Sequence, residues 1–139
     1  MKRILVALDG SEHSHRSLEL AITLARAMTS ELWVVCALPP TLLASEFGEE
    51  LAGYLDDQQR AAATIIEHAK AQASLAGVVL HGVIEEGTAD QVISRVAEAK
   101  AVDLIVVGSH GRSAVGRILL GSVSDRLVHD CKRPVLVAR

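Results

Sequence analysis

The chain has 139 residues, half of them hydrophobic, with a net charge of −3 and a mean hydropathy of +0.31. That length suits one compact domain, residues 1–139, and is short for two. Its apolar runs are far shorter than the roughly 20 residues of a membrane span, and 14 scattered basic residues in an acidic chain with one Trp, one Tyr and one Phe argue against a nucleic-acid partner.

The opening stretch "MKRILVALDGSEHS" has two basic residues and a five-residue apolar run before Asp9, which resembles no secretory leader, so the cytoplasm is the expected location. Residues 3–8 form a continuous apolar run ending at Asp-Gly-Ser, and Leu18, Ala21, Ile22 and Ala25 then recur at helical spacing. The pattern predicts a strand followed by a helix. "ELWVVCAL" reads as a second strand and stops at Pro39 and Pro40, which cannot extend a central strand. From about Phe47 to Ala76 the spacing predicts a long helix, with Gly53 as a possible interruption and Gly77 as its stop.

"VVLHGVI" reads as a third strand. Thr88 and Gln91 then have the spacing of a capping box opening another helix. "VDLIVVG" is almost wholly aliphatic, as a strand buried on both faces should be. Near the end, "SVSDRLVHDC" predicts a short helix with Ser122 as its cap, and Pro134 leads into a fifth strand, "PVLVA". Cys36 and Cys131 lack CxxC or metal-ligand spacing, so reduced core thiols are expected.

Strands alternating with helices predict an α/β fold: an open, Rossmann-like parallel sheet of five strands with helices on both faces. If the order is 3-2-1-4-5, the winding reverses between strands 1 and 4, and ligands bind outside the carboxyl ends of the strands at that reversal. "ALDGS" and "VVGSHG" then converge on one crevice.

The stretch "GSHGRSAVGRILLGS", residues 108–122, follows strand 4. A phosphate held with few charges needs several backbone N–H groups aimed at one point, which glycines permit. Gly121 and Ser122 open the last helix, where unpaired amides and the helix dipole favour an anion. Ser109, Ser122 and Ser124 add hydroxyls, and Arg112 and Arg117 add charge. The residues alone leave open whether this is a phosphate cradle or a turn that needs bare backbone.

The spacing Gly108, Gly111, nine residues, then Gly121-Ser122 resembles the ATP-binding signature of the universal stress protein family. "ILVALDGSEHS", "VDLIVVGSHGRS" and "LLGSVSDRLVHDCKRPVLVAR" are similar to other parts of that family, so the resemblance spans nearly the whole chain. It implies a nucleotide-dependent stress-response sensor or switch that takes ATP with Mg²⁺ or Mn²⁺. Gly108, Ser109, His110, Gly111 and Arg112 would line triphosphate and ribose, and Gly121, Ser122, Val123 and Ser124 would close over the phosphates. Ala7, Leu8, Asp9, Ala37 and Val107 would form the slot for adenine, Ala37 standing where the family often has a β-branched residue. Asp9 could hold ribose, base or a nucleotide-bound divalent ion; an Asx turn at Asp-Gly-Ser accounts for it equally well. The family resemblance also implies a homodimer through the last strand, residues 134–138.

No Walker motif or protein-kinase signature is present, and His110 is the one loop residue that could position water, so turnover is not expected. His13, His15, His68, His81 and His129 show no consistent metal spacing. The scarcity of aromatic residues argues against a flavin carrier. Two other readings stay open, a chaperone-like interaction protein and a slow ATPase.

Overall fold

The computed structural model describes residues 1–40, 44–109 and 121–139. Chain order is β1 (Arg3–Ala7), α1 (Glu12–Met28), β2 (Glu31–Leu38), α2 (Ala44–Leu75), β3 (Leu80–Glu86), α3 (Ala89–Ala99), β4 (Leu104–Gly108), α4 (Ser122–Asp130) and β5 (Val135–Ala138). All five strands join one parallel sheet in the order β3-β2-β1-β4-β5, the order expected from the sequence. No helix among the described residues is long and apolar enough to cross a membrane.

The central strands explain the aliphatic runs. In β1 and β4 alternate residues point to opposite faces, and both faces are covered, so Ile4, Leu5, Val6, Ile105 and Val106 are all fully buried. On one face α1 and α2 pack Leu18, Ala21, Ala25, Ala62, Ile66, Ala69 and Ala73 against Ile4, Val6, Leu32 and Val34. On the other, Val92, Ile93, Val96 and Leu127 of α3 and α4 cover Leu5, Val35, Ile105 and Val107. The two cysteines contribute to opposite faces, Cys36 buried and Cys131 half-buried, and neither forms a disulfide.

Local details depart from the sequence pattern in four places. The break in α2 falls at Gly48 (φ 70°, ψ −148°), and Gly53 stays helical. β3 begins at Leu80, because Val78 is needed to close the preceding turn. There Gly77 (φ 71°) donates to Ser74 and Val78 donates to Ala73, the paired reverse bonds that satisfy a helix end and need a left-handed residue between them. Thr88 is the N-cap of α3, yet its side chain makes no capping bond, so the predicted capping box does not form. The N-cap of α4 is Gly121, which leaves Ser122 as the first helical residue.

Candidate functional site

β1 and β4 lie side by side in register from Ile4 with Leu104 to Val6 with Val106, so both carboxyl ends emerge together. From β1 the chain turns into α1 on one face of the sheet, while α4 lies on the opposite face. The separation opens a crevice at the point where the winding reverses. Ala7, Leu8, Asp9, Val107, Gly108 and Ser109 lie at or just beyond the carboxyl ends of these two strands. His110, Gly111 and Arg112 lie outside the described residues.

Asp9 forms the floor turn. Its Oδ1 accepts the Ser11 N–H at 2.9 Å, and Ser11 Oγ then accepts the Ser14 N–H at 3.2 Å to cap α1. The carboxylate therefore has an Asx-turn role, one of the two readings the sequence allowed. Gly108 has a packing role as well. A Cβ placed there would lie 2.9 Å from His13 Cβ and 3.0 Å from the His13 carbonyl carbon and oxygen. Bare backbone at this position lets the first turn of α1 close onto the end of β4.

Ser109, 6% exposed, is a junction. Its N–H donates to the Ala138 carbonyl of β5 at 2.8 Å, and its own carbonyl accepts the Gly121 N–H. Ser124 Oγ, 2% exposed, lies 3.0 Å from the Gly121 carbonyl and 3.3 Å from that of Ser109. These bonds fasten the start of the 108–122 stretch to its end and engage the Gly121 and Ser109 amides inside the protein. The N–H groups of Ser122, Val123 and Ser124 stand in the first turn of α4, the turn whose amides have no partner within their own helix. The first intrahelical bond is from Asp125 to Gly121. Ser122 is exposed at this helix start, where the dipole presents positive charge.

A second donor and acceptor face the crevice from β2. Leu8 N–H donates to the Val35 carbonyl at 3.0 Å, the last bond between β1 and β2. Backbone groups alternate sides along a strand, so the N–H and C=O of Ala37, two residues on, point the same way, past the end of β1. The side chains of Leu8 (6% exposed) and Val107 (3%) are in the core, and only their backbone reaches the crevice. Ala7 and Ala37 are half-buried small residues on the α3 and α4 face.

Sequence reasoning missed the rim of this region. Glu85 is the register partner of Ala37, and its Oε2 takes Arg95 Nε at 2.9 Å. Asp90 and Arg126 pair at 3.7 Å between α3 and α4. Only strand register reveals the first pair, since Ala37 and Glu85 are far apart in sequence. The carboxyl groups held below their ordinary range lie at the opposite end of the sheet: Glu98 by the bond and charge of Arg133, and Asp103 by the Arg3 and Lys2 backbone N–H groups. Among the described residues no three His, Cys, Asp or Glu side chains are grouped to hold a metal ion.

Strand order and the helices on both faces define a doubly wound α/β domain whose winding reverses between β1 and β4. Residues 1–139 match the model of the universal stress protein family, and the chain belongs to that family. It is 34% identical to a universal stress protein of Methanocaldococcus jannaschii over 99% of this chain and 82% of the relative. A Thermus aquaticus universal stress protein is also 34% identical, over 99% of this chain and 98% of the relative. The solved universal stress protein UspA of Lactobacillus plantarum superposes with a TM-score of 0.91 at 21% identity, covering 99% of this chain and 97% of that one, which shows the shared fold. A universal stress protein solved in complex with cAMP superposes with a TM-score of 0.78 at 26% identity, covering 99% of this chain and 97% of that one.

Proposed function

We propose that this chain binds an adenine nucleotide, ATP with Mg²⁺ or Mn²⁺, in the crevice and acts as a nucleotide-dependent stress-response sensor or switch without turnover. One observation carries the reading. The first turn of α4, exposed at Ser122, and the peptide groups of Ala37, which carry no strand pairing beyond the end of β1 among the described residues, flank the switch point from opposite sides, suiting the anionic and the hydrogen-bonding ends of a nucleotide. The cAMP complex of a relative supports the ligand class.

The amides of Ser122 and Val123 and the Ser122 hydroxyl would take phosphate oxygens, with Gly111 and Arg112 completing the cradle. Ala7, Leu8 and Val107 would floor the base slot, and Ala37 would offer the base one donor and one acceptor. Asp9 stands between these regions for ribose or for an ion held chiefly by the phosphates. Ser109, bonded both to Gly121 and to Ala138, links the glycine-spaced stretch to β5. β5 is paired only with β4 among the described residues, so its outer edge is the surface through which a homodimer would form.

Isothermal titration of MgATP into wild type and Gly121→Val tests the reading. Wild type should bind, and the variant should lose at least about tenfold in affinity because the branched side chain crowds the helix start. Absent or equal binding in both removes the nucleotide. Phosphate release measured over hours separates a switch from a slow ATPase.

A further inference from the structure

We propose that His81 is a proton-operated contact: on taking a proton, its imidazole displaces the Lys100 ammonium from the ring of Trp33 and loosens the last turn of α3. The cluster lies at the amino end of the sheet, away from the crevice, and holds the one tryptophan of the chain. Trp33 and His81 are register partners on the parallel strands β2 and β3, so both side chains project to the face that α3 covers. Their ring centres lie 4.5 Å apart, with the planes at 31°. Lys100, the C-cap of α3, places its Nζ 4.8 Å from the centre of the Trp33 ring. All three residues are half-buried.

No hydrogen bond holds the indole, whose Nε1 is buried without a partner among the described residues. Packing and the two ring contacts therefore set its orientation. Lys100 ties α3 to two strands, to β2 through Nζ and to β1 through its carbonyl, which accepts Arg3 Nη1 at 2.9 Å. Its N–H donates to the Val96 carbonyl at 2.9 Å, and that of Val102 to Ala97 at 3.0 Å, closing the helix. The neighbouring charges are engaged elsewhere: Glu31 of β2 with Arg3 of β1, Glu85 of β3 with Arg95 of α3, and Glu98 of α3 with Arg133. Asp103, before β4, accepts the Lys2 and Arg3 amides, and α2 covers the opposite face. Among the described residues neither Lys100 nor His81 has a carboxylate partner.

A neutral imidazole lies against an indole as one aromatic ring on another, and the indole still attracts an ammonium. A protonated imidazole is a second cation drawn to the same ring. The two contact distances bring both charges within about one Debye length, roughly 8–10 Å in physiological salt, so screening between them is weak and they repel. His81 is fixed to a strand by its backbone, whereas Lys100 ends a helix and carries its charge on a flexible stem that can turn to water. The ammonium is therefore the group that leaves, and the last turn of α3 loses its hold on β2. Imidazole changes charge between about pH 8 and about pH 5, so acidification operates the contact.

The test follows the emission of the single tryptophan and the amide exchange of Lys100 and Val102 from about pH 8 to about pH 5, in wild type, His81→Phe and His81→Gln. An imidazolium quenches an indole that it touches, so wild-type emission should fall in one transition on acidification while both variants stay flat. Proteins are compared at the same pH, and circular dichroism checks folding. Exchange in wild type should match His81→Phe at about pH 8 and be roughly two- to fivefold faster at about pH 5, the factor that a cation over an indole is worth near the surface. His81→Gln serves for this comparison where His81→Phe does not fold. In Lys100→Met the emission transition should remain, and exchange at Val102 should no longer respond to His81→Phe. Flat wild-type emission, a transition that survives in both His81 variants, or equal exchange at about pH 5 overturns the proposal and leaves the cluster as packing.

Discussion

Gly108 shows how one residue can have two explanations, and how geometry chooses between them. In the sequence it opens a glycine-spaced stretch and reads as ligand-facing backbone. In the structure its missing Cβ is what admits His13, whose Cβ would stand 2.9 Å away. Gly108→Ala should therefore cost about 1–3 kcal/mol, as overpacking does, because the clash is partly with rigid helix backbone. Urea unfolding with nucleotide omitted measures this, and an unchanged midpoint would return Gly108 to a ligand role alone. Ser11 and Thr88 make a second contrast. Both are N-caps, but only Ser11 bonds an amide of its helix. Ser11→Ala should cost about 1 kcal/mol, and Thr88→Ala less than about half that. Equal losses in the two variants would contradict the cap geometry.

Between elements, Asp103 ties the start of β1 to the start of β4. Its Oδ2 accepts the Lys2 N–H at 2.7 Å and the Arg3 N–H at 3.0 Å, and these bonds hold the carboxyl below its ordinary value of 3.8. A carboxyl with a lowered folded pKa contributes stability above its unfolded pKa, and that contribution disappears as pH falls through the folded value. The stability gap between wild type and Asp103→Asn should therefore be full at neutral pH and shrink once pH drops through 3.8. Denaturant curves across that range check it, and a gap that grows on acidification would reverse the assignment. The side chain is exposed, so the effect is modest and should weaken with salt.

For the whole molecule the decisive feature is the free edge of β5. Pro134 and Ala138 direct their carbonyls at β4, where Ile105 and Ser109 donate to them. By alternation the peptide groups of Val135 and Val137 face outward. Val137→Pro should remove an outward donor while leaving the bonds to β4 intact, so it should shift a homodimer to monomer without unfolding the domain. Sedimentation velocity with circular dichroism reads both. A variant that keeps the wild-type assembly state would place any subunit contact elsewhere. Because the N–H of Ser109 bonds to Ala138 and its carbonyl to Gly121, the edge strand and the glycine stretch meet at one residue.

Much of the architecture was written in local chemistry. Aliphatic runs of strand length, helical spacing between them, and Pro or Gly at the junctions predicted the alternation of elements, since burial on both faces demands such residues wherever the sheet falls. The strand order also followed, because short right-handed crossovers leave few alternatives. The glycine spacing pointed to the crevice for the same reason, as its ends flank β4 and open α4. Other features depended on contacts between segments distant in sequence. Only the packed structure moved the break in α2 to Gly48, left Thr88 without a capping bond, set His13 against Gly108, and fastened Gly121 to Ser109. It also set Glu85 beside Ala37, because register between parallel strands is decided by how whole faces pack against helices, and no local pattern encodes it.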